Sequence, residues 1–403
     1  MSAEGATAVR RVSWVELYFD LIFVFAMRQA AHTLVDEPSW RGVLTAFVLF
    51  VPLWWTWIGF VILYNRSGAE DAVSHRLFVL AGTLPCAVAA IEVHGGSHGD
   101  TAGFALALAA TRAVLAVAFW FTSDVSGPAG RRLTLGYVLS TVVFALSALV
   151  PTPWRYVVWL LMLAQEAGLL LLGRKPRRAR TGQEETLRAM LKPPSEATLR
   201  IDPAHLAERF GLFMIILFGE IVISVGSAAI LVEDRGLAYW IGVLSGFVLA
   251  AALWWIYFGS AAEINEHVLR ASGGNPAVAY GLYAAGHLGP AFSLLVMAAG
   301  VSLALEHDPP GSAGWLIAGG LAVYLVGTQA VVPPLSMRFG RLVRIVAVGA
   351  TVGLALLQPW ITAAGVLLVA TIWTVMAAAL VTWHHPGRLG EVVADPLAIF
   401  RDR

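Results

Sequence analysis

The chain contains little charge and only one cysteine. Charged residues make up 13% of its 403 residues, and the cysteine is Cys86. Because an average soluble domain is about 25% charged, this composition argues against a soluble globular protein. One cysteine excludes an intrachain disulfide. The net charge is +1 and no basic tract suggests a nucleic-acid surface, so we expect no nucleic-acid partner.

Familiar catalytic and targeting patterns are also missing. The sequence has no zinc-protease helix, phosphate-binding loop or nucleophile elbow, which leaves a hydrolase unsupported. Glu92, His94, His98 and Asp100 are residue types that bind divalent metals, but their glycine-rich spacing makes a poor site. We expect no metal and no cofactor. The first apolar run is too long and too charged for a signal peptide.

Long apolar runs are what the sequence does contain. Hydrophobic residues make up 58% of the chain, and runs of about 20 of them recur along its length. This pattern predicts an all-α polytopic membrane protein. We place twelve spans at about 14–33, 43–64, 75–95, 102–122, 133–150, 154–173, 206–230, 237–258, 277–304, 312–334, 342–358 and 360–383.

The distribution of arginine and lysine sets the orientation. With a cytoplasmic N-terminus, 22 basic residues fall on the inner side and three on the outer side, namely Arg41, Arg155 and Arg235. Such an asymmetry indicates that both termini are in the cytoplasm. We therefore predict a multi-pass protein of the cytoplasmic membrane that contacts membrane lipids.

The chain divides into two sets of six predicted spans. Residues 1–173 form the first, 174–204 a basic cytoplasmic linker, and 205–403 the second. The linker is interpreted as a solvated connection, with binding to anionic lipid head groups as the alternative. Asp202 before Pro203 is typical of a helix start, with Asp202 as the N-cap.

The two sets resemble each other. At an offset of 200 residues, Phe47–Gly59 matches Phe247–Gly259 at seven of thirteen positions, including both tryptophan pairs. Since six is an even number of spans, the two repeats run parallel, and we expect a pseudo-two-fold axis along the membrane normal.

Two acidic residues in the predicted spans are the first candidates for a functional site. Asp20 lies in the first span, and Glu220 takes the same place in the seventh at the 200-residue offset. A charge at the centre of a membrane helix costs roughly 2.5–3.5 kcal/mol, so each must face protein or water. Facing each other or a cavity, they could bind a proton or a cation. The alternative is that they brace helices through hydrogen bonds.

Other polar residues in the spans are further candidates. Arg28 is too far around the helix to pair with Asp20, so we expect Glu92 as its partner. His32 lies one turn after Arg28 and could titrate or serve structurally. His287 precedes Pro290, which matches Pro85 of the first repeat; matched prolines predict irregular backbone that could supply carbonyl ligands. Simple packing kinks are the alternative.

The motifs around these residues resemble one known family. VELYFDLIFVFA near the N-terminus contains Glu16 and Asp20, and HLAERFGLFMIILFGEIVI contains Glu208, Arg209 and Glu220. With the two tryptophan pairs, they are similar to the bacterial low temperature requirement A (LtrA) family, and the resemblance covers nearly the whole chain. It implies the membrane architecture and draws attention to Glu16, Glu208 and Arg209, but it implies no substrate.

Three functions remain open at this point. The first is a transporter or channel-like permease that moves a small solute or ion, coupled to protons or cations by Asp20 and Glu220. The second is a membrane enzyme acting on a lipid or polyprenyl-linked substrate, with Glu16, Arg76 and Arg209 converging at head-group level and Arg28 or Arg112 on a phosphate. The third is a stress-adaptation scaffold whose buried polar residues are structural.

Overall fold

The computed structural model describes residues 12–67, 73–97, 101–121, 128–172, 193, 200–231, 236–328, 340–357 and 359–396. Within these ranges the regular structure is helical and there is no strand. Each of the twelve predicted spans has a helix at its position. The linker 174–204 lies almost wholly outside the described residues.

The described residues of the first half form six helices. They are α1 (Trp14–Asp36), α2 (Trp40–Ser67), α3 (Val73–Ser97), α4 (Ala102–Phe121), α5 (Pro128–Ser147) and α6 (Trp154–Leu172).

The second half is less regular. It contains α7 (Pro203–Leu231), α8 (Leu237–Ile256), a π-helical segment (Tyr257–Ala261), α9 (Ala262–Ala271), α10 (Pro276–Ala279), a second π-helical segment (Tyr280–Ala285), α11 (Leu288–Ala304), α12 (Ala313–Gly327), α13 (Gly340–Gly353), a 3-10 turn (Leu354–Leu357) and α14 (Ala363–Ala394).

Seven helical segments of the described part are long and apolar enough to cross a membrane. They are Trp40–Arg66, Arg76–Val93, Ala102–Phe121, Pro203–Ala228, Leu237–Ala271, Pro276–Ala304 and Ala363–Ala394. The apolar helices at Thr134–Ser147, Ala313–Gly327 and Ile345–Leu357 are shorter.

The exposure of side chains on α1 is the reverse of that in a soluble protein. Trp14, Tyr18 and Leu21 on one face are exposed, whereas Glu16 and Asp20 are fully buried. Apolar side chains that face outward and charges that face inward suit a hydrocarbon solvent. The same pattern, with many exposed large hydrophobic side chains, recurs on the other helices. It supports a membrane protein independently of the hydropathy.

Four of the helix contacts in the first half recur in the second half. α1 packs against α2 and α3, and correspondingly α7 packs against α8 and α11. α3 packs on α4 and α4 on α5, as α11 packs on α12 and α12 on α13. The halves meet where α1 and α2 contact α7 and α11.

The matched prolines do not produce matched irregularities, contrary to expectation. Pro85 lies inside the continuous helix α3, whereas Pro290 lies in the first turn of α11, directly after the π-helical segment and His287. A proline in the first turn of a helix loses no hydrogen bond, because the amides there have no intrahelical acceptor. The irregular backbone is therefore a feature of the second half among the described residues.

Candidate functional site

A buried charge cluster joins α1 to α7. Arg209 Nη1 donates to Glu16 Oε1 at 3.0 Å, and Arg209 Nη2 donates to Asp20 Oδ1 at 3.0 Å. Side-chain exposure is 1% for Glu16 and 0% for Asp20 and Arg209. One guanidinium therefore holds two carboxylates, and a single ion-pair network ties the two halves together.

Local sequence places these groups on facing surfaces. Glu16 and Asp20 are four residues apart on α1, as His205 and Arg209 are on α7, and this spacing puts both members of a pair on one helix face. The Ser13 side chain and the Glu16 carboxylate form a capping box that starts α1. Its geometry fixes the Glu16 carboxylate at the helix start.

The start of α7 is fixed by a cap as well. Asp202 Oδ1 accepts from the backbone amides of Ala204 and His205 at 3.0 and 3.2 Å, which confirms the predicted N-cap. The cap orients the first turn of α7, and with it His205, toward α1.

Further side chains complete the cluster. Trp57 Nε1 donates to Asp20 Oδ1 at 2.7 Å, and His205 Nε2 lies 3.4 Å from Glu16 Oε1. The rings of Phe19 and Tyr64 lie 5.9 and 5.6 Å from the Arg209 guanidinium carbon. Asp20 Oδ2, His205 Nε2 and Arg209 Nε are buried without a hydrogen-bond partner among the described residues. Asp20 thus retains an oxygen that could bind a proton.

Polar contacts connect this cluster to the protein surface. A cleft is lined by Asn65, Arg200, Ile201, Asp202, Pro203, Arg270 and Gly273. Asn65 Nδ2 lies 3.3 Å from His205 Nδ1, and Asn65 Oδ1 accepts from the Asp202 amide at 2.7 Å. The contacts run from the cleft through Asn65 and His205 to Glu16, Arg209 and Asp20.

Glu220 lies at a different level of the α1–α7 contact. Its Oε2 atom is 2.9 Å from Arg28 Nε, and the Arg28 side chain is 37% exposed. Arg28 is eight residues beyond Asp20, about 12 Å along the helix. Asp20 and Glu220 therefore do not face each other, because each pairs with an arginine of the opposite helix. The prediction that Arg28 pairs with Glu92 is wrong, because Arg28 pairs with Glu220.

Two further candidates, His32 and Glu208, lie apart from the cluster. His32 is exposed, with Nδ1 4.0 Å from the carboxylate of Asp36 one turn on. Glu208 is exposed although it precedes Arg209. Arg76 is also exposed, whereas Glu16 and Arg209 are buried. Of the three residues that the enzyme interpretation brings together at head-group level, Glu16 and Arg209 are in contact with each other, in a buried position.

His287 forms a separate site beside the π-helical segments. Its Nε2 atom is 2.9 Å from the Tyr257 hydroxyl and its Nδ1 atom is 2.9 Å from the Leu282 carbonyl oxygen. Trp54 Nε1 donates to the Ala284 carbonyl at 2.9 Å. Carbonyls of the irregular backbone are thus used by protein groups. The cavity beside His287 is lined also by Asn265, Thr328 and Arg388, with room for about one water molecule.

A second buried ion pair lies within the first half. Arg112 Nη1 donates to Glu166 Oε1 at 2.5 Å and to Ser140 Oγ at 2.6 Å. The Arg112 side chain is fully buried. The structure pairs these two charges with each other across α4 and α6.

The described residues contain no group of three or more side chains suited to a metal ion. Two of the metal-binding residue types noted above, His98 and Asp100, lie outside the described residues.

Sequence comparison places these residues in a known family. The sequence profile of the bacterial low temperature requirement A protein (LtrA) family matches residues 11–381. The chain belongs to the LtrA family. Both halves of the charge cluster lie inside the matched region of this LtrA-family chain. An uncharacterised protein of Rhizobium meliloti (strain 1021) is 28% identical over 335 residues, covering 79% of this chain and 76% of the relative. No solved structure matches the chain.

Three members of the charge cluster were not predicted from the sequence. They are Trp57, Asn65 and His205. A signal for His205 was present, since its four-residue spacing from Arg209 repeats that of Glu16 and Asp20. Trp57 and Asn65 gave none, because both are on α2 and meet the cluster only through tertiary packing.

Proposed function

We propose that this LtrA-family chain is a transporter or channel-like permease of the cytoplasmic membrane, and that its buried cluster binds an exchangeable proton. The observation that carries the proposal is the charge balance of the cluster. Two carboxylates, Glu16 and Asp20, share one guanidinium, Arg209, with side-chain exposure of 1% or less. With a neutral His205, the cluster carries one uncompensated negative charge.

An uncompensated charge in such a place is costly. Removing one partner of a buried ion pair typically costs 3–5 kcal/mol, because a charge is left without compensation. One proton on the free oxygen of Asp20 restores neutrality. A proton fits better than a metal cation because Arg209 occupies the facing oxygen of each carboxylate and would repel a second cation.

The route to the surface supports the same assignment. The Asn65 amide nitrogen Nδ2 faces His205 Nδ1, so a neutral His205 carries its hydrogen on Nε2, which lies 3.4 Å from Glu16 Oε1. Asn65 also lines the open cleft. Asn65 and His205 are therefore the polar side chains that lie between the cleft and the buried carboxylates.

The architecture we propose is that of twelve spans in two parallel repeats, with both termini in the cytoplasm. The shared helix pairings of the two halves support the duplication. α1 and α7 are in contact through Arg209 at one level and through Arg28 with Glu220 at another. In this mechanism, protonation of the cluster weakens the ion pairs between Arg209 and α1. The two halves then move relative to each other and expose the site to the opposite side of the membrane.

Flux measurements in liposomes test the proposal. We expect the purified protein to carry protons when a potassium diffusion potential is imposed, with a pH-sensitive dye inside. Asp20→Asn should abolish the flux because the exchangeable group is lost, and Glu220→Gln should strongly reduce it because the second contact is lost. Glu208→Gln is the matched control, since Glu208 is exposed on the same helix, and it should leave the flux unchanged.

The outcomes separate the competing functions. If the flux of both Asp20→Asn and Glu220→Gln equals that of the wild type, these two carboxylates are not the coupling site. A wild-type flux no greater than that of protein-free liposomes, in sodium and in potassium salts, would contradict transport and favour the scaffold.

A further inference from the structure

The open cleft next to the charge cluster lies where α2 and α9 end and α7 begins. It is lined by Asn65, Arg200, Ile201, Asp202, Pro203, Arg270 and Gly273. Its volume is about 470 Å³, which lies within the range of about 300–1,000 Å³ that is usual for small-molecule sites. The cleft therefore has room for a small organic molecule.

Backbone hydrogen bonds bring two arginines to this cleft. The Ile201 amide donates to the Gly274 carbonyl at 3.0 Å. The Gly273 amide donates to the Arg270 carbonyl at 2.9 Å, so Gly273 and Gly274 form the turn that follows Arg270. Because Arg200 directly precedes Ile201, its segment is bound to this turn. The two arginines therefore belong to segments that are held together in the folded chain.

A side chain of the first half binds the same segment. Asn65 Nδ2 donates to the Asp202 carbonyl at 3.0 Å, and Asn65 Oδ1 accepts from the Asp202 amide at 2.7 Å. Since Asn65 is on α2 and Asp202 precedes α7, both halves of the chain form the cleft. Its walls are thus fixed by hydrogen bonds before any ligand binds, and a movement of one half against the other would change its shape.

The charges of the lining favour an anion. Arg200 is exposed and has no acceptor among the described residues. Arg270 is 61% exposed, and only its Nη2 atom donates, to Glu266. Asp202 is the one acidic residue in the lining, and its Oδ1 atom already accepts from two amides at the start of α7. Two guanidiniums with unused donors suit the oxygens of a carboxylate or phosphate group.

The apolar part of the lining is too small for an acyl chain. Ile201 and Pro203 are its apolar side chains, and Ile201 is only 2% exposed. A lipid bound here would bury little apolar surface, although such burial supplies most of the affinity for a lipid chain. A water-soluble anion suits the cleft better than a lipid does.

We propose that the cleft binds a small water-soluble organic anion through Arg200 and Arg270, which recognise its carboxylate or phosphate group. This anion is the solute that the permease moves, an assignment that rests on the proposed function. In the proposed topology the ends of α2 and α9 lie on the cytoplasmic side. Asn65 lines the cleft and also contacts His205, so the anion binds next to the charge cluster.

Binding of succinate and of inorganic phosphate to the purified full chain tests the site. The melting temperature is followed by tryptophan fluorescence at constant pH and ionic strength, because a ligand that binds only the folded state raises it with increasing concentration. We expect a saturable rise with at least one of the two anions. The measurement needs no gradient, so its result does not depend on proton transport.

Three arginine variants locate the binding. Arg200→Gln and Arg270→Gln should each weaken the apparent affinity about tenfold or more, since a charge-assisted hydrogen bond is lost. Both arginines are exposed, so both variants should fold as the wild type does. Arg76→Gln is the matched control, because Arg76 is exposed on α3 and does not line the cleft. It should bind with the wild-type affinity.

The possible outcomes distinguish this site from a lipid site and from proton transport. No rise with either anion, or equal affinities of Arg200→Gln, Arg270→Gln and Arg76→Gln, would overturn the proposal. A rise caused by phosphatidylglycerol in the micelles but by neither free anion would assign the cleft to a lipid head group and overturn it as well. A saturable rise in a protein that carries no protons would support the binding site and contradict the proposed function.

Discussion

Replacing Arg209 with leucine is expected to lower the free energy of unfolding by about 3–5 kcal/mol. Arg209 is fully buried and donates to both Glu16 and Asp20. Without it, two carboxylates remain close together in an apolar interior with no compensating charge. The loss should be visible in equilibrium unfolding of the purified protein in mixed micelles, or as a reduced fraction of monodisperse protein.

Replacing the two carboxylates with neutral amides should restore much of the stability that Arg209→Leu loses. In the triple variant Arg209→Leu/Glu16→Gln/Asp20→Asn, no charge is left buried, so stability should return toward the wild-type value. Arg270→Leu is the matched control: Arg270 is 61% exposed and pairs with Glu266 one turn away, and the loss of such a pair costs about 0.5 kcal/mol or less. Equal stability of Arg209→Leu and Arg270→Leu would contradict the buried network.

Replacing Gly274 with alanine is expected to cost at least about 2 kcal/mol. Gly274 has φ +71°, a conformation that costs other residues roughly 1–2 kcal/mol, and an added Cβ would lie 2.1 Å from the Ile201 carbonyl oxygen. The Ile201 amide donates to the Gly274 carbonyl at 3.0 Å, so the alanine would displace the segment before α7. Thermal unfolding of the purified variant measures the effect.

The control for Gly274 is another glycine. At Gly387 in α14 an added Cβ meets no atom within 4 Å, and alanine in a helix is favoured over glycine by about 0.8–1.0 kcal/mol. Gly387→Ala should therefore be neutral or stabilising. If Gly274→Ala unfolds at the wild-type temperature, the described contact between Gly274 and Ile201 is wrong.

The sequence was sufficient to predict the helices and to show that the buried charged residues need partners. It was not sufficient to predict which residue each of them pairs with. Apolar runs locate the helices at the twelve predicted spans but not the polar helix α9 (Ala262–Ala271), and the cost of a charge in hydrocarbon shows that Asp20, Arg28 and Arg112 need partners. Which partner each finds depends on helices far away in the chain. Glu92 was predicted as the partner of Arg28 only because the two residues lie at a similar depth in the membrane. The lateral packing of α1 on α7 instead brings Glu220 to Arg28.

The repeat misled the site prediction in one respect. Equivalence at an offset of 200 residues placed Asp20 and Glu220 at the same level, but side-chain contacts place Asp20 beside Arg209 and Glu220 beside Arg28. Similar sequences specify similar helices, whereas the relative shift of two helices depends on how their side chains interdigitate. The π-helical segments likewise left no sequence signal beyond Pro290 and its neighbouring glycines.

Infrared difference spectroscopy between acidic and alkaline pH tests the central claim most directly, because it detects the gain of a proton by carboxyl or imidazole groups. The account predicts that the wild-type spectrum contains a protonated-carboxyl band from the Glu16 and Asp20 cluster. This band should be missing from the double variant Glu16→Gln/Asp20→Asn and retained in Glu208→Gln. Identical spectra for wild type and the double variant would show that the cluster exchanges no proton, which would contradict the account.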